Sequence, residues 1–284
     1  MNAARPSRRQ IALGGAALFA AYAVPRGTRA ANTYAQTVLA KGPVGYWRLG
    51  ESSGPTAADA TGNGHAGTFR GSPKFAEPGS VKGDSDGAVG LDGRHDYVEI
   101  ANSVHFSQPS SGHGLTVEAW MRPDTLTFAG QTSQTYVHWL GKGDPNDVEW
   151  GFRFYSADSP TRPNRISAYI WNTAGGEGAG AYFQDSLTAG AWIHVVACYD
   201  PGDASNPAAG VSIYRDGALR GNPRGTRGAR YASYSIVAAH GHAPVRLGTR
   251  DLGSFFTGAL DEVAIYPRVL SASEIAENYS AATG

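Results

Sequence analysis

Between Asp59 and His65 the chain reads Asp-Ala-Thr-Gly-Asn-Gly-His, which sets hard oxygen donors on a glycine-rich turn that can fold its carbonyls inward. Carboxylate, amide and carbonyl oxygens grouped in this way suit calcium. The competing reading is a turn closed by hydrogen bonds to the Asp59 side chain, with no ion. A second set of residues is aromatic. Trp139, Trp150, Tyr155, Trp171 and Tyr182 crowd the middle of the chain, with Arg153, Arg165, Asn172 and Glu177 among them. Sugars are held by ring faces stacked on aromatic side chains and by a few polar groups that meet the hydroxyls. Trp139, Trp150, Arg153, Tyr155, Trp171 and Tyr182 are therefore the expected carbohydrate-binding residues. For each ring the alternative is packing in a core.

Catalytic arrangements find less support. Gly83-Asp84-Ser85-Asp86-Gly87 has the Gly-x-Ser-x-Gly form of a nucleophile elbow, yet no strand precedes it and no helix follows, so it reads as a turn. Tyr136, His138, Arg153 and Tyr155 include the groups a polysaccharide lyase needs, a Tyr or His base with an Arg against a uronate. His240 and His242 would share one face of an extended segment, a spacing used by transition metals, but their Gly/Ala context makes them loop residues. No catalytic residue is assigned.

The elements that must position these side chains are strands. Leu115, Val117, Ala119 and Met121 alternate with Thr116, Glu118 and Trp120, which predicts a strand with one face on the core and Glu118 and Trp120 on the other. Ile193 to Tyr199 is apolar on both faces, a central strand with Cys198 inside it. Val211 to Tyr214 runs into Asp216-Gly217, a hairpin signal that makes Asp216 a turn residue. Gly45 to Leu49, Tyr97 to Ile100, Tyr136 to Leu140, Gly151 to Tyr155, Ile166 to Trp171, Val245 to Leu247 and Leu260 to Tyr266 are further strand candidates. Thr173 to Gly180 (TAGGEGAG) reads as a loop beside Trp171. A short helix is predicted near the end, where Ser271 and Glu274 form a capping box and Ile275 pairs with Tyr279 at i, i+4.

Composition agrees with a turn-rich β protein: 284 residues with Gly 38, Pro 16 and only 17% charged. Arg5, Arg8, Arg9, Arg26 and Arg29 lie in the first thirty residues, where no Asp or Glu occurs, leaving 19 basic against 24 acidic residues in the remainder. That balance argues against nucleic acid and against anionic membrane surfaces. Residues 1–30 read as an export signal: Arg8-Arg9, an apolar run from Ile11 to Val24, and Thr28-Arg29-Ala30 as a small-residue cleavage site. Paired arginines point to the twin-arginine route, hence to a secreted protein with no membrane insertion after processing. Residues 31–284 are expected to form one domain. With Cys198 alone, that domain has no internal disulfide and must rest on its core, helped at most by a metal.

Read with their turns, GPVGYWRLGE (42–51), DATGNGHAG (59–67), GLDGRHDYVEI (90–100), LTVEAWMRPD (115–124), WIHVVACYD (192–200), VSIYRDGAL (211–219) and FTGALDEVAIYPRVLSASEIAENY (256–279) resemble bacterial laminin-G-like domains of the concanavalin A-like lectin/glucanase type. The resemblance implies an all-β fold, a two-sheet antiparallel jelly-roll β-sandwich with a short C-terminal helix. It also implies a structural calcium site in which the 59–65 turn meets the strand carrying Asp261, with Asp59, Asn63 and Asp261 as side-chain ligands and the carbonyls of Gly62 and His65 beside them. Trp47, Trp120 and Trp192, each inside one of these motifs, are expected to be structural. Glucanases on this scaffold set their carboxylates as Glu-x-Asp-x-x-Glu on one strand face. No such string occurs here. The expectation is a calcium-stabilised, lectin-like domain for a polysaccharide or cell-surface glycan. A polysaccharide-degrading hydrolase or lyase and a protein-adhesion module are the alternatives, and oligomeric state is left open.

Overall fold

The alternating segments pair into two antiparallel sheets. The computed structural model describes Met1 and residues 33–107, 114–130, 135–171, 178–201, 210–221 and 240–284. Its strands are β1 (Gly45–Trp47), β2 (Thr56–Ala57), β3 (Gly67–Arg70), β4 (Lys74–Pro78), β5 (Gly87–Asp92), β6 (Tyr97–Ile100), β7 (Leu115–Pro123), β8 (Tyr136–Asp144), β9 (Asp147–Tyr155), β10 (Ile166–Trp171), β11 (Gly178–Phe183), β12 (Ile193–Asp200), β13 (Gly210–Arg215), β14 (Ala218–Gly221), β15 (Val245–Leu247) and β16 (Thr257–Tyr266). Two helices, α1 (Thr33–Ala40) and α2 (Ala272–Thr283), flank them. Residues 1–30, the expected export signal, lie outside the described residues apart from Met1. Among the described residues no helix is long and apolar enough to cross a membrane.

Sheet I has the order β14-β13-β12-β7-β16-β5-β4, with β1 beside β16, and sheet II the order β11-β10-β9-β8-β15-β6-β3-β2. Their inner faces meet in one apolar core that includes Trp47, Val117, Met121, Trp139, Trp150, Phe152, Phe154, Ile166, Tyr199, Leu260 and Ile265. The predicted two-sheet jelly-roll is thus the observed architecture.

Outer-face residues of sheet I form a second apolar layer. Tyr46, Trp120, Val196, Cys198, Ala264 and Tyr266 pack against Tyr34, Ala35 and Val38 of α1 and against Ile275 and Ala282 of α2. Glu118 fastens this layer. Its Oε1 accepts from His194 Nε2 at 2.7 Å and Tyr34 Oη at 3.2 Å, and its Oε2 from Tyr266 Oη and Asn278 Nδ2, both at 2.8 Å. Burial alone would raise its pKa, but the donors, His194 foremost, hold the carboxylate below its ordinary value. The capping box forms as predicted: Glu274 N donates to Ser271 Oγ and Ser271 N to Glu274 Oε2. α1 was not foreseen.

Candidate functional site

On the outer face of sheet II, strand register sets polar and aromatic side chains in rows. Tyr182 on β11 faces Ser167 on β10, Ser167 faces Arg153 on β9, and Arg153 faces His138 on β8. Period two then places Tyr136, Tyr155, Tyr169 and Trp171 on the same side. Tyr169 and Trp171 stack at 5.3 Å between centroids with 19° between planes. The Arg153 guanidinium lies 4.3 Å from the Tyr136 ring, 4.6 Å from Tyr169 and 5.5 Å from Trp171. A second guanidinium, Arg250, reaches in from the segment after β15 and also lies 5.5 Å from the Trp171 ring. Its stem crosses Gly141 and Gly151, where an added Cβ would come within 2.9 Å of Arg250 Cγ and 3.0 Å of Cδ. Any larger residue at these two positions would displace it.

The electrostatics of this face are cationic. Arg153 Nε donates to His138 Nε2 at 3.1 Å. Burial, then the charges of Arg250 and Arg153, push His138 well below the usual imidazole range, so the ring stays neutral. The Tyr155 hydroxyl sits 3.3 Å from that of Tyr169 and accepts from Arg162 Nη1 at 2.9 Å. Burial would raise its pKa, but Tyr169 and the cations of Arg153 and Arg162 outweigh it and the phenol is acidified. Arg250 pairs with Asp251 at 2.5 Å, while its Nε and Nη1 are buried without a hydrogen-bond partner. Arg165 lies 3.7 Å from the Tyr182 ring and donates to Gln184.

The expected sugar-binding residues divide between the two faces of sheet II. Trp171, Tyr182 and Arg153 are half-buried on the outer face, and Tyr155 joins the same cluster with its side chain closed over. Trp139 and Trp150 do not. Both are 0% exposed in the core, where Trp139 lies 5.0 Å from the Phe152 ring and Trp150 Nε1 donates to Phe106 O. A tryptophan sealed between sheets has no ring face to offer a sugar, so these two are corrected to core residues. Asn172 and Glu177 lie outside the described residues. Tyr169, Arg162 and Arg250 belong to the cluster and were missed. For Tyr169 the signal was available in its i, i+2 relation to Trp171.

The expected calcium ligands each carry hydrogen bonds of their own. Asp59 Oδ1 accepts from Tyr46 N, Thr61 N and Thr61 Oγ1, and Oδ2 from His65 N. His65 O accepts from Trp47 Nε1 at 2.8 Å, and the Asn63 amide donates to Val44 O. Asp261 is tied elsewhere, its Oδ2 accepting from the backbone and hydroxyl of Ser80 at 2.7 and 2.8 Å. Asp261 Oδ1 is buried without a hydrogen-bond partner, and among the described residues no group of three or more His, Cys, Asp or Glu side chains could hold a metal ion. Gly62 contributes its N–H to Asp59 O, which closes the same turn.

Other candidates resolve as structure. Asp84 and Asp86 hold Arg48 at 2.6 and 3.2 Å in a turn leading into β5, and His240 and His242 are exposed. Trp47 and Trp120 are buried, and Trp192 lies under Arg122.

Sandwich, outer aromatic face and helical backing define a lectin-type jelly-roll. A laminin-G-type family model, described as the concanavalin A-like lectin/glucanases superfamily, matches residues 92–276, and the chain belongs to that superfamily. No curated protein sequence matches it. Domain 4 of a GH43 extracellular arabinanase from Geobacillus stearothermophilus, solved in complex with arabinotriose, is similar at 16% identity over 84% of this chain and 98% of that one, with a TM-score of 0.56. The botulinum neurotoxin type G receptor-binding domain aligns at 12% identity over 84% of this chain and 51% of that one, TM-score 0.56. The botulinum neurotoxin DC binding domain in complex with SialylT aligns at 9% over 85% and 52%, TM-score 0.61. The chain spans about half the length of these neurotoxin domains.

Proposed function

We propose that this chain is an exported carbohydrate-binding domain that takes a polysaccharide or surface glycan on the outer face of β8 to β11. One observation carries the reading: half-buried Tyr136, Trp171 and Tyr182 are spread across a single sheet face around Arg153, which offers ring planes and hydrogen-bond donors together. The arabinanase domain solved with arabinotriose supports it, as a sandwich of the same fold that holds a sugar chain. Export is supported by Arg8-Arg9 and the apolar run behind it.

The same face holds the Tyr, His and Arg groups of a lyase. However, His138 and Tyr155 are 1% and 0% exposed, so neither reaches a bound chain as a base, and of the named bases only Tyr136 stands at the surface. Binding is the better-supported reading. Incubating the protein with plant, algal and bacterial polysaccharides, then assaying retained protein and released fragments together, tests it. Retention without fragments, lost in Trp171→Ala, is expected. No retention on any polymer overturns the reading, and fragments would replace it with an enzyme.

A further inference from the structure

Arg153 and Arg250 hold like charges against one indole ring, each 5.5 Å from Trp171. Such crowding costs energy unless an anion relieves it. Among the described residues the carboxylates near them are few. Asp251 pairs with Arg250, and Asp144 is drawn off by Arg246 at 2.6 Å. Arg153 has no carboxylate partner among the described residues. Its Nε is spent on His138 and it also bonds the Tyr155 hydroxyl, so no carboxylate among the described residues neutralises the guanidinium. Arg250 adds a second observation, buried with Nε and Nη1 unpartnered.

We infer that Arg153 receives the carboxylate of an acidic sugar, with Arg250 as a second positive charge behind it and neutral His138 as the positioning residue that fixes the guanidinium plane. This rests on the binding face proposed above and names its ligand class. A planar fork suits a carboxylate, which it can grip through two parallel hydrogen bonds. Sugar ring and acid group then divide the site, Trp171 and Tyr136 taking the ring and Arg153 the charge.

The test compares polygalacturonate, dextran sulfate and neutral arabinan on the same protein. At least tenfold tighter binding of polygalacturonate than of arabinan is expected, weakening as salt rises. Arg153→Gln should weaken polygalacturonate binding at least tenfold more than it weakens arabinan binding, which erases the preference. Arg153→Lys should keep part of it through charge alone. His138→Gln, which still presents an acceptor, should retain the preference, whereas His138→Phe should lose it while arabinan binding shows that the domain is still folded. Equal binding of the uronate and neutral polymers overturns the inference while leaving the binding face standing. Tightest binding of dextran sulfate overturns the carboxylate assignment in favour of a sulfate ester. Failure of all three polymers to bind removes the face and this inference with it.

Discussion

Arg153 Nε on β9 donates to His138 Nε2 on β8 at 3.1 Å, so the imidazole must carry its one proton on Nδ1. Buried between two guanidiniums, His138 is held well below its ordinary pKa by burial first and by Arg250 and Arg153 next. The unfolded chain, in contrast, protonates this ring near pH 6.5. Below that value the unfolded state therefore binds the extra proton, and stability falls as the pH drops. Melting between pH 7 and 5 should fall further in the wild type than in His138→Gln, by on the order of 1–2 kcal/mol. Parallel curves would mean that the folded protein protonates His138.

Trp139 and Trp171 provide a contrast within one sheet. Trp139→Ala should cost about 3–5 kcal/mol in urea unfolding, because it empties a site in the core. Trp171→Ala, half-buried on the outer face, should change stability by less than about 2 kcal/mol and reduce glycan retention instead. A reversal of the two effects would place the wrong tryptophan in the core.

Asp59→Ala removes the acceptor for four donors from the backbone and hydroxyl of its own turn and from Tyr46. A loss of about 1–3 kcal/mol is expected, of equal size with calcium or with chelator. If added calcium raises the wild-type melting temperature and this rise disappears in Asp59→Ala, the turn does hold an ion.

Glu118→Ala should cost about 3–5 kcal/mol, since it strands His194, Tyr266 and Asn278 in a buried layer. Hydrogen exchange would show the loss first in α2, which Asn278 ties to the sheet. Protection that falls uniformly over the chain would contradict that order.

Much of the sandwich was legible because alternation is a property of the strand itself. Leu115, Val117, Ala119 and Met121 point to the core and Glu118 and Trp120 away from it, as their spacing predicted. Strands β2 to β5 escaped notice because they are short and half-exposed, with little contrast between faces. β11 was read in part as a loop on the strength of Gly178 and Gly180. Those glycines leave room for neighbouring rings: a Cβ on Gly178 would sit 2.5 Å from Trp171 Cδ1, and one on Gly180 would sit 2.7 Å from Tyr169 Cδ1. The faces of Trp139 and Trp150 were legible in the spacing: Trp139 alternates with His138, and Trp150 shares its parity with Phe152 and Phe154, opposite to Arg153 and Tyr155. Arg250 reaches the cluster only through tertiary packing, far along the chain from Arg153, and no local pattern announces it.

Helices α1 and α2 lie on the far side of sheet I from sheet II, packed on the layer around Trp120 and Tyr266. Both helices, Thr33–Ala40 and Ala272–Thr283, are therefore on the side away from Trp171. A bead, a surface or a fused neighbour joined at either end would hold the sandwich by its back and leave the Arg153 face turned outward, so tethering and glycan capture need not compete for space.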